Sequence, residues 1–324
     1  MPSNLLDPAI LFFALGLFAG VVRSNLEIPA PITRFLSLYL LMAIGLKGGF
    51  TLAAAGLSTP MVIAILAALL LALLLPALDY LFLSRVVNRF DAAAIAATYG
   101  SVSAVTFITA MQFLDHQGQP YGGHMTVAMV LMESPAIFMA IILASLARRR
   151  AAQDSATTPP ATGIRSLLHE AFTDGGQLLL VGSLLIGALT GAKGEAIMQP
   201  FSVDLFKGML ALFLLEMGLQ VARQLRVFRE VSPLLLAYGI VAPLLHALIA
   251  LALARLTGMP AGDATLLAVL AASASYIVVP AVLGHAMPEA RASLYFGLSL
   301  GVTFPFNLVV GIPLYHTLAQ RLLG

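Results

Sequence analysis

Long runs of apolar residues, separated by short charged or Pro/Gly-rich breaks, follow one another along almost the whole sequence. About 20 apolar residues in a helix cross the hydrocarbon core of a bilayer, so each run is a candidate transmembrane helix. Hydrophobic residues make up 60% of the 324 residues and charged residues 10%, proportions outside the range of soluble proteins. The chain is therefore predicted to be an all-α integral membrane protein with about ten transmembrane helices.

The candidate spans form two groups of five around a polar, Pro-containing stretch. They lie at residues 8–22, 35–50, 60–83, 91–114 and 122–146, and at 176–191, 206–221, 232–254, 263–284 and 292–317. The predicted domains are a first five-helix repeat at 1–147, a cytoplasmic linker at 148–175 and a second repeat at 176–324. Spans one, two and six are short for a bilayer, so they are expected to be broken, extended by neighbouring residues or buried.

Basic residues are concentrated in alternate loops, as in membrane proteins whose cytoplasmic loops are positively charged. Twelve of the 17 Lys and Arg residues fall in one set of loops: Arg23, Arg34, Arg85, Arg89, Arg148, Arg149, Arg150, Arg165, Arg223, Arg226, Arg229 and Arg291. Met1 to Asp7 lacks the basic region of a signal peptide, so the first run is expected to be retained. The placement of the basic residues in alternate loops predicts that both termini lie outside the cell.

The two halves of the sequence share a weak internal repeat. Three pairs of polar residues recur 172 positions apart: Asp91 with Asp263, Ser101 with Ser273, and Ser103 with Ser275. At similar separations, residues 44–46 match 217–219, and Pro135 matches Pro305. Because each half has an odd number of spans, the second copy must insert upside down. The sequence thus predicts the inverted repeat of many secondary transporters.

Hydroxyl and small residues crowd the middle of spans four and nine. The candidate substrate-binding residues are Ser101, Ser103, Thr106, Ser273, Ser275 and Tyr276. A helix broken at each place would present N–H groups to an anion and free carbonyls to Na⁺. Two facing breaks would form one site. The alternative is tight helix packing, with each hydroxyl bonded to the preceding turn.

Ionisable residues inside the spans are costly to bury unless they are paired. Glu133, beside Pro135, is predicted either to bind the coupling cation, to carry a proton or to pair with Lys47; Glu216 is the other candidate partner of Lys47. Asp79 and His246 each follow a proline by three residues and are expected to serve packing or an interface.

Three further polar residues, His124, Thr303 and Asn307, flank the predicted kinks in spans five and ten. Thr303 and Asn307 join Glu133 as candidates for ion binding or coupling. The alternative for each is a hydrogen-bonded role in the protein core.

Motifs of soluble enzymes and of ATP-driven transport do not occur in the sequence. There is no cysteine, P-loop or Rossmann fingerprint, and the stretch from His169 to Thr173 lacks the second histidine of a zinc protease. The chain is therefore expected to be neither an enzyme nor the holder of a cofactor, and any transport must draw on an ion gradient or on the substrate's own gradient.

Four segments together resemble the sodium-dependent bicarbonate transporters of cyanobacteria and their broader bacterial family. They are Ile44 to Gly49, Ile240 to His246, Ala271 to Ser275, and Gly311 to Leu314. The resemblance implies a ten-helix inverted repeat with core and gate domains in the bacterial inner membrane, a homotrimer, a PII-like cytoplasmic regulator, and Na⁺-coupled bicarbonate uptake at facing breaks. It also implies that Ser103, Ser273 and Ser275 match anion-site serines and that Glu133 replaces an aspartate.

The sequence departs from that family immediately after Ser275. Tyr276, Ile277, Val278 and Val279 stand where the family has Asp, Ile, Ser and Gly, and Val105 replaces a serine in span four. The leading prediction is Na⁺-coupled bicarbonate uptake by alternating access. The alternatives are a transporter of the same fold for another organic or inorganic anion without Na⁺, and a non-transporting membrane receptor or scaffold.

Overall fold

Helices account for all the regular secondary structure in a computed structural model that describes residues 7–56, 58–155, 175–224, 231–276, 279, 283 and 287–324. No strand occurs in these ranges, so the all-α prediction is confirmed. Six helical stretches within them are long and apolar enough to cross a membrane: Ala30–Ala54, Thr59–Leu83, Arg89–His116, Leu178–Gln224, Pro233–Thr257 and Ala292–Leu323. Shorter apolar helices accompany them.

The first half contains α1 (Pro8–Val21), α2 (Ala30–Ala55), α3 (Thr59–Leu83), α4 (Arg89–Tyr99), α5 (Ala104–His116) and α6 (His124–Ser155). The second half contains α7 (Gly175–Gln199), α8 (Phe206–Gln224), α9 (Pro233–Thr257), α10 (Ala261–Ala272) and α11 (Ala292–Leu323). A π-helical turn, Pro200–Asp204, joins α7 to α8, and α11 includes the π-helical stretches Gly297–Thr303 and Asn307–Gly311.

Helix α2 is longer than the apolar run at 35–50 that predicts it, because the helical backbone continues through Arg34. Helix α7 is kinked at Gly191 (φ 51°, ψ −140°), where the predicted run at 176–191 ends, and a second helical part follows. A helix satisfies its own backbone hydrogen bonds, and long charged side chains can extend toward the interface. Helix α6 likewise continues to Ser155, inside the stretch predicted as a linker, and the rest of that stretch to Asp174 lies outside the described residues.

Four helices pack in pairs through glycines, α1 along α8 and α2 along α7. A Cβ atom added to Gly218 would lie 2.2 Å from the Phe13 carbonyl oxygen, and one added to Gly16 would lie 2.0 Å from the Leu215 carbonyl oxygen. Only glycine permits such backbone contact, which is a usual way for membrane helices to associate.

The α2–α7 pair also packs closely through glycines. An added Cβ at Gly45 would lie 2.6 Å from the Leu180 carbonyl oxygen, and one at Gly187 would lie 2.6 Å from the Leu46 carbonyl oxygen. We call α1, α2, α7 and α8 the glycine-packed bundle.

The other helices pack around α4, α5 and α10 and form what we call the broken-helix bundle. Helix α3 contacts α4 and α6, and α10 contacts α9 and α11. In the Arg89–His116 stretch, 94% of the residues in an 18-residue apolar window are buried, so this part lies inside the protein rather than against lipid.

Two buried aspartates tie helix starts together within the broken-helix bundle. Asp91 Oδ1 accepts a hydrogen bond from the Arg291 N–H at 2.8 Å, and Asp263 Oδ1 accepts one from the Gly122 N–H at 2.6 Å. Asp91 thus links α4 to the start of α11, and Asp263 links α10 to the start of α6.

Candidate functional site

The first break separates α4 from α5 in the buried part of the broken-helix bundle. The chain leaves the helix after Tyr99 and re-enters it at Ala104. Ser103 caps α5, because its Oγ accepts hydrogen bonds from the Thr106 N–H at 3.2 Å and from the Thr106 hydroxyl at 2.9 Å. The positive end of the α5 dipole therefore lies inside the protein.

The second break follows α10, and it is hydrogen-bonded to the first. The chain is extended at Ser273, whose Oγ accepts from the Ser103 N–H at 2.9 Å and donates to the Leu270 carbonyl at 2.9 Å. The Ser275 N–H donates to the Thr98 carbonyl at 2.9 Å. The structure thus brings together the two serine pairs that the sequence repeat singles out.

Thr303 and Asn307 hold α11 against the breaks. Asn307 Nδ2 donates to the Ala272 carbonyl at 2.8 Å, and its Oδ1 accepts from the Tyr315 hydroxyl at 2.9 Å. Thr303 donates to the Gly239 carbonyl at 2.7 Å, with the Tyr99 hydroxyl 2.6 Å from its Oγ1. These contacts correspond to the hydrogen-bonded core role that was the alternative to ion binding.

Two hydroxyl groups at the breaks, those of Thr98 and Ser101, are fully buried without a hydrogen-bond partner among the described residues. The Tyr276 hydroxyl, on a residue 6% exposed, is also buried and interacts only with the Ser103 side chain. A buried polar group without a partner costs about 1–3 kcal/mol, and native proteins contain few of them. Hydroxyls at the breaks are therefore available to bind a ligand, as are the Asp79, Tyr238 and His246 atoms that lie together between α3 and α9. The Tyr276 ring packs edge-on against Phe304, with 5.2 Å between ring centroids.

His124, another candidate residue, contacts Asp263 instead of this cluster. Its Nε2 atom lies 3.1 Å from Asp263 Oδ2 at the start of α10. Glu133 is buried in α6, two residues before Pro135.

The pair between Lys47 and Glu216, one of the two pairings considered for Lys47, does not form. The Lys47 Nζ atom lies 3.5 Å from the Tyr121 hydroxyl, and it lines a small cavity with Lys207. Glu216 lies nine residues after Lys207, which corresponds to about 13 Å along the axis of α8, and it accepts a hydrogen bond from Gln220. A pairing of this kind depends on the depth of each helix in the bundle, which sequence periodicity does not give.

Asp79 and His246, which occupy corresponding places in α3 and α9, contact each other. The His246 Nε2 atom lies 3.1 Å from Asp79 Oδ1, and both residues are buried. The sequence shows their equivalence, but the contact itself becomes visible only in three dimensions.

A cavity of about 940 Å³ leads to the second break. Its walls come from α2, α7 and α8, Tyr276 lines it from the broken-helix bundle, and its charged lining residues are Glu27, Arg34, Glu216 and Arg223. The cavity thus lies within the glycine-packed bundle and meets the broken-helix bundle at Tyr276. No sequence signal predicts it, because its wall combines α2 with α7 and α8, which lie more than 100 residues later in the chain.

The sequence profile of the Na⁺-dependent bicarbonate transporter superfamily matches residues 8–320. The chain belongs to this superfamily. The family resemblance found in the sequence is thereby confirmed, and membership together with the apolar helices makes the chain a multi-pass membrane transporter. A comparison with curated proteins gives no match. A transporter requires a substrate site that can be reached from solvent, and the cavity that ends at Tyr276 could give such access.

Proposed function

We propose that the protein moves a small anion across the bacterial inner membrane by alternating access, with Na⁺-coupled bicarbonate uptake as the leading case. The observation that carries the proposal is the cluster of buried hydroxyls at two facing helix breaks. The resemblance extends the proposal to a homotrimer with a PII-like regulator.

An inverted repeat of residues 1–147 and 176–324 is part of the proposal, and helix packing supports it. The α1–α8 contact uses Gly16 and Gly218, and the α2–α7 contact uses Gly187 and Gly45. Gly187 follows Gly16 by 171 residues, and Gly218 follows Gly45 by 173. Exchanging the two copies therefore turns one contact into the other, as a two-fold axis in the membrane plane requires.

The cavity supports movement of the glycine-packed bundle against the broken-helix bundle. It begins where α2 and α7 begin and α8 ends, at the side where Arg34 and Arg223 lie. The excess of basic residues assigns this side to the cytoplasm, with both termini outside. We therefore propose that the structure represents an inward-facing state, in which these arginines attract the anion.

The breaks offer an anion more than they offer a cation. The N-terminus of α5 and the hydroxyls of Ser101 and Tyr276 are donors, and an anion needs donors. No residue from Tyr99 to Thr106 or from Ala272 to Tyr276 carries a carboxylate. This observation favours the second candidate function, a transporter of the same fold for another anion without Na⁺ coupling.

Removing hydroxyls at the breaks tests substrate contact separately from folding. Ser101→Ala deletes a buried hydroxyl that makes no hydrogen bond to the described residues, and Tyr276→Phe deletes one that interacts only with the Ser103 side chain, so we expect thermal stability to stay nearly equal or rise. Anion uptake should fall by about tenfold or more in each, equivalent to roughly 1.4 kcal/mol of lost binding. Ser299→Ala is the matched control, because the Ser299 hydroxyl is buried but bonded to the Phe296 carbonyl in its own helix.

The measurement is uptake of labelled bicarbonate into proteoliposomes under an inward Na⁺ gradient, with K⁺ as control. Uptake that needs Na⁺ and is reduced in both variants supports the leading proposal, and equal uptake with K⁺ supports the second candidate. Saturable binding without flux indicates a receptor. Full uptake by both variants contradicts a substrate site at the breaks.

A further inference from the structure

A carboxyl group that the proposed anion site does not use lines the cavity. Glu216 in α8 is 3% exposed. Gln220 Nε2 donates a hydrogen bond to its Oε1 at 3.1 Å. Its Oε2 makes no hydrogen bond within the described part of the chain and is closed off from solvent.

The charged groups around Glu216 do not pair with it. Arg223 lies two turns further along α8, Arg34 lines the cavity from α2, and Glu27 lines it from the segment before α2. The lining residues of α7 and all of α1, which packs against α8, carry no charge, and Tyr276 lines the cavity from the break. Among the described residues none forms an ion pair with Glu216.

An ionised carboxylate is disfavoured at this position. One oxygen is satisfied only by a neutral amide, and the other has no donor within the described part of the chain, so burial disfavours a negative charge there, and Arg223, two turns away, offsets this only in part. A bound cation would remove that charge. Na⁺ needs several oxygen ligands, whereas the side chain that the structure places on this carboxyl group is the Gln220 amide, which donates to it through Nε2. A proton needs only one oxygen.

We propose that Glu216 holds a proton in this conformation and that the proton enters the cavity together with the anion. An ionised Glu216 and an anion in the same cavity repel each other, so protonation of Glu216 favours anion binding. By linkage, anion binding favours protonation equally. Glu216 would thus supply the coupling charge that the helix breaks lack. The coupling rests on the proposed transport function, but the protonation of Glu216 does not.

Infrared spectroscopy of the full-length protein in lipid decides the protonation state. A protonated carboxylic acid has a carbonyl stretching band that ionised carboxylates lack. We expect this band at neutral pH in the wild type, its loss in Glu216→Gln, and its persistence in Glu195→Gln, the matched control for an exposed glutamate on α7. If Glu216→Gln fails to fold, Glu216→Asp retains the acid and should shift the band rather than delete it.

Binding of sodium bicarbonate, measured across the mildly alkaline range in which bicarbonate is the main species, then tests the coupling. We expect affinity to fall by up to about tenfold per pH unit in the wild type and to be independent of pH in Glu216→Gln. A spectrum without a Glu216-dependent band overturns the proposal, whether or not the protein transports. Loss of the band on adding NaCl but not KCl reassigns Glu216 to Na⁺. An intact band without bicarbonate binding contradicts the proposed substrate and leaves the bound proton established.

Discussion

The Arg291→Ala variant is expected to lose about 3 kcal/mol of folding stability. Asp91 has a fully buried side chain, and Arg291 Nε and Nη2 lie 2.8 and 2.6 Å from its Oδ2. Removing one partner of a buried ion pair costs roughly 3–5 kcal/mol, because a charge is left without compensation. The lower end applies here, since the Arg291 side chain is 62% exposed, and both its backbone N–H and the Asn88 side-chain amide still donate to Asp91.

Reversible unfolding in detergent micelles measures this loss. The Asp91→Ala/Arg291→Ala double variant should be less destabilised than the sum of the two single variants, with a coupling energy of about 0.5–3 kcal/mol. Arg321→Ala is the matched control, an exposed arginine on α11 whose removal should change stability by less than about 0.5 kcal/mol. Additive effects of the two single variants would show that the ion pair does not tie α4 to α11.

Gly218→Ala should destabilise the glycine-packed bundle, whereas Gly208→Ala on the same helix should not. The new Cβ at position 218 would lie 2.2 Å from the Phe13 carbonyl oxygen and 2.6 Å from the Leu17 nitrogen. Both are backbone atoms, so α1 and α8 must move apart, and overpacking of this kind costs roughly 1–3 kcal/mol. At Gly208 nothing lies within 4 Å of an added Cβ.

The same unfolding assay separates the two glycines. Gly208→Ala should gain up to about 1 kcal/mol from helix propensity alone, because its methyl group meets no neighbour. A Gly218→Ala protein as stable as Gly208→Ala would mean that α1 and α8 do not cross closely at this glycine. The contact pairs the first helix of one predicted repeat with the second helix of the other, so its loss would also weaken the evidence for the inverted repeat.

Helical class and the positions of both breaks could be predicted from the sequence, because each depends on local composition. Apolar runs give the spans, and the clusters around Ser103 and Ser275 give the breaks. Local composition cannot show which hydroxyls are free. Ser103 and Thr106 serve to start α5, while Ser101, two residues earlier, has no partner in the described structure. That distinction depends on where the second break lies.

The cavity and the contact between Asp79 and His246 could not be predicted from the sequence for the same reason. Both arise from the crossing of helices that are far apart in the chain, and a repeat in the sequence shows equivalence without showing contact. The environment of Glu216 is a further case, since its position in the sequence suggested Lys47 as a partner, whereas its neighbour is Gln220 on the next turn.

The hydrogen bonds that join the two breaks constrain how the chain is assembled in the membrane. The Ser103 N–H is satisfied by Ser273, and the Thr98 carbonyl by Ser275, so the backbone around the first break is completed by residues made about 170 positions later. During synthesis, these two backbone groups of α4 and α5 have no hydrogen-bond partner until α10 has been made and inserted. Unpaired backbone in lipid is costly, so biogenesis should depend on the early helices sheltering that break.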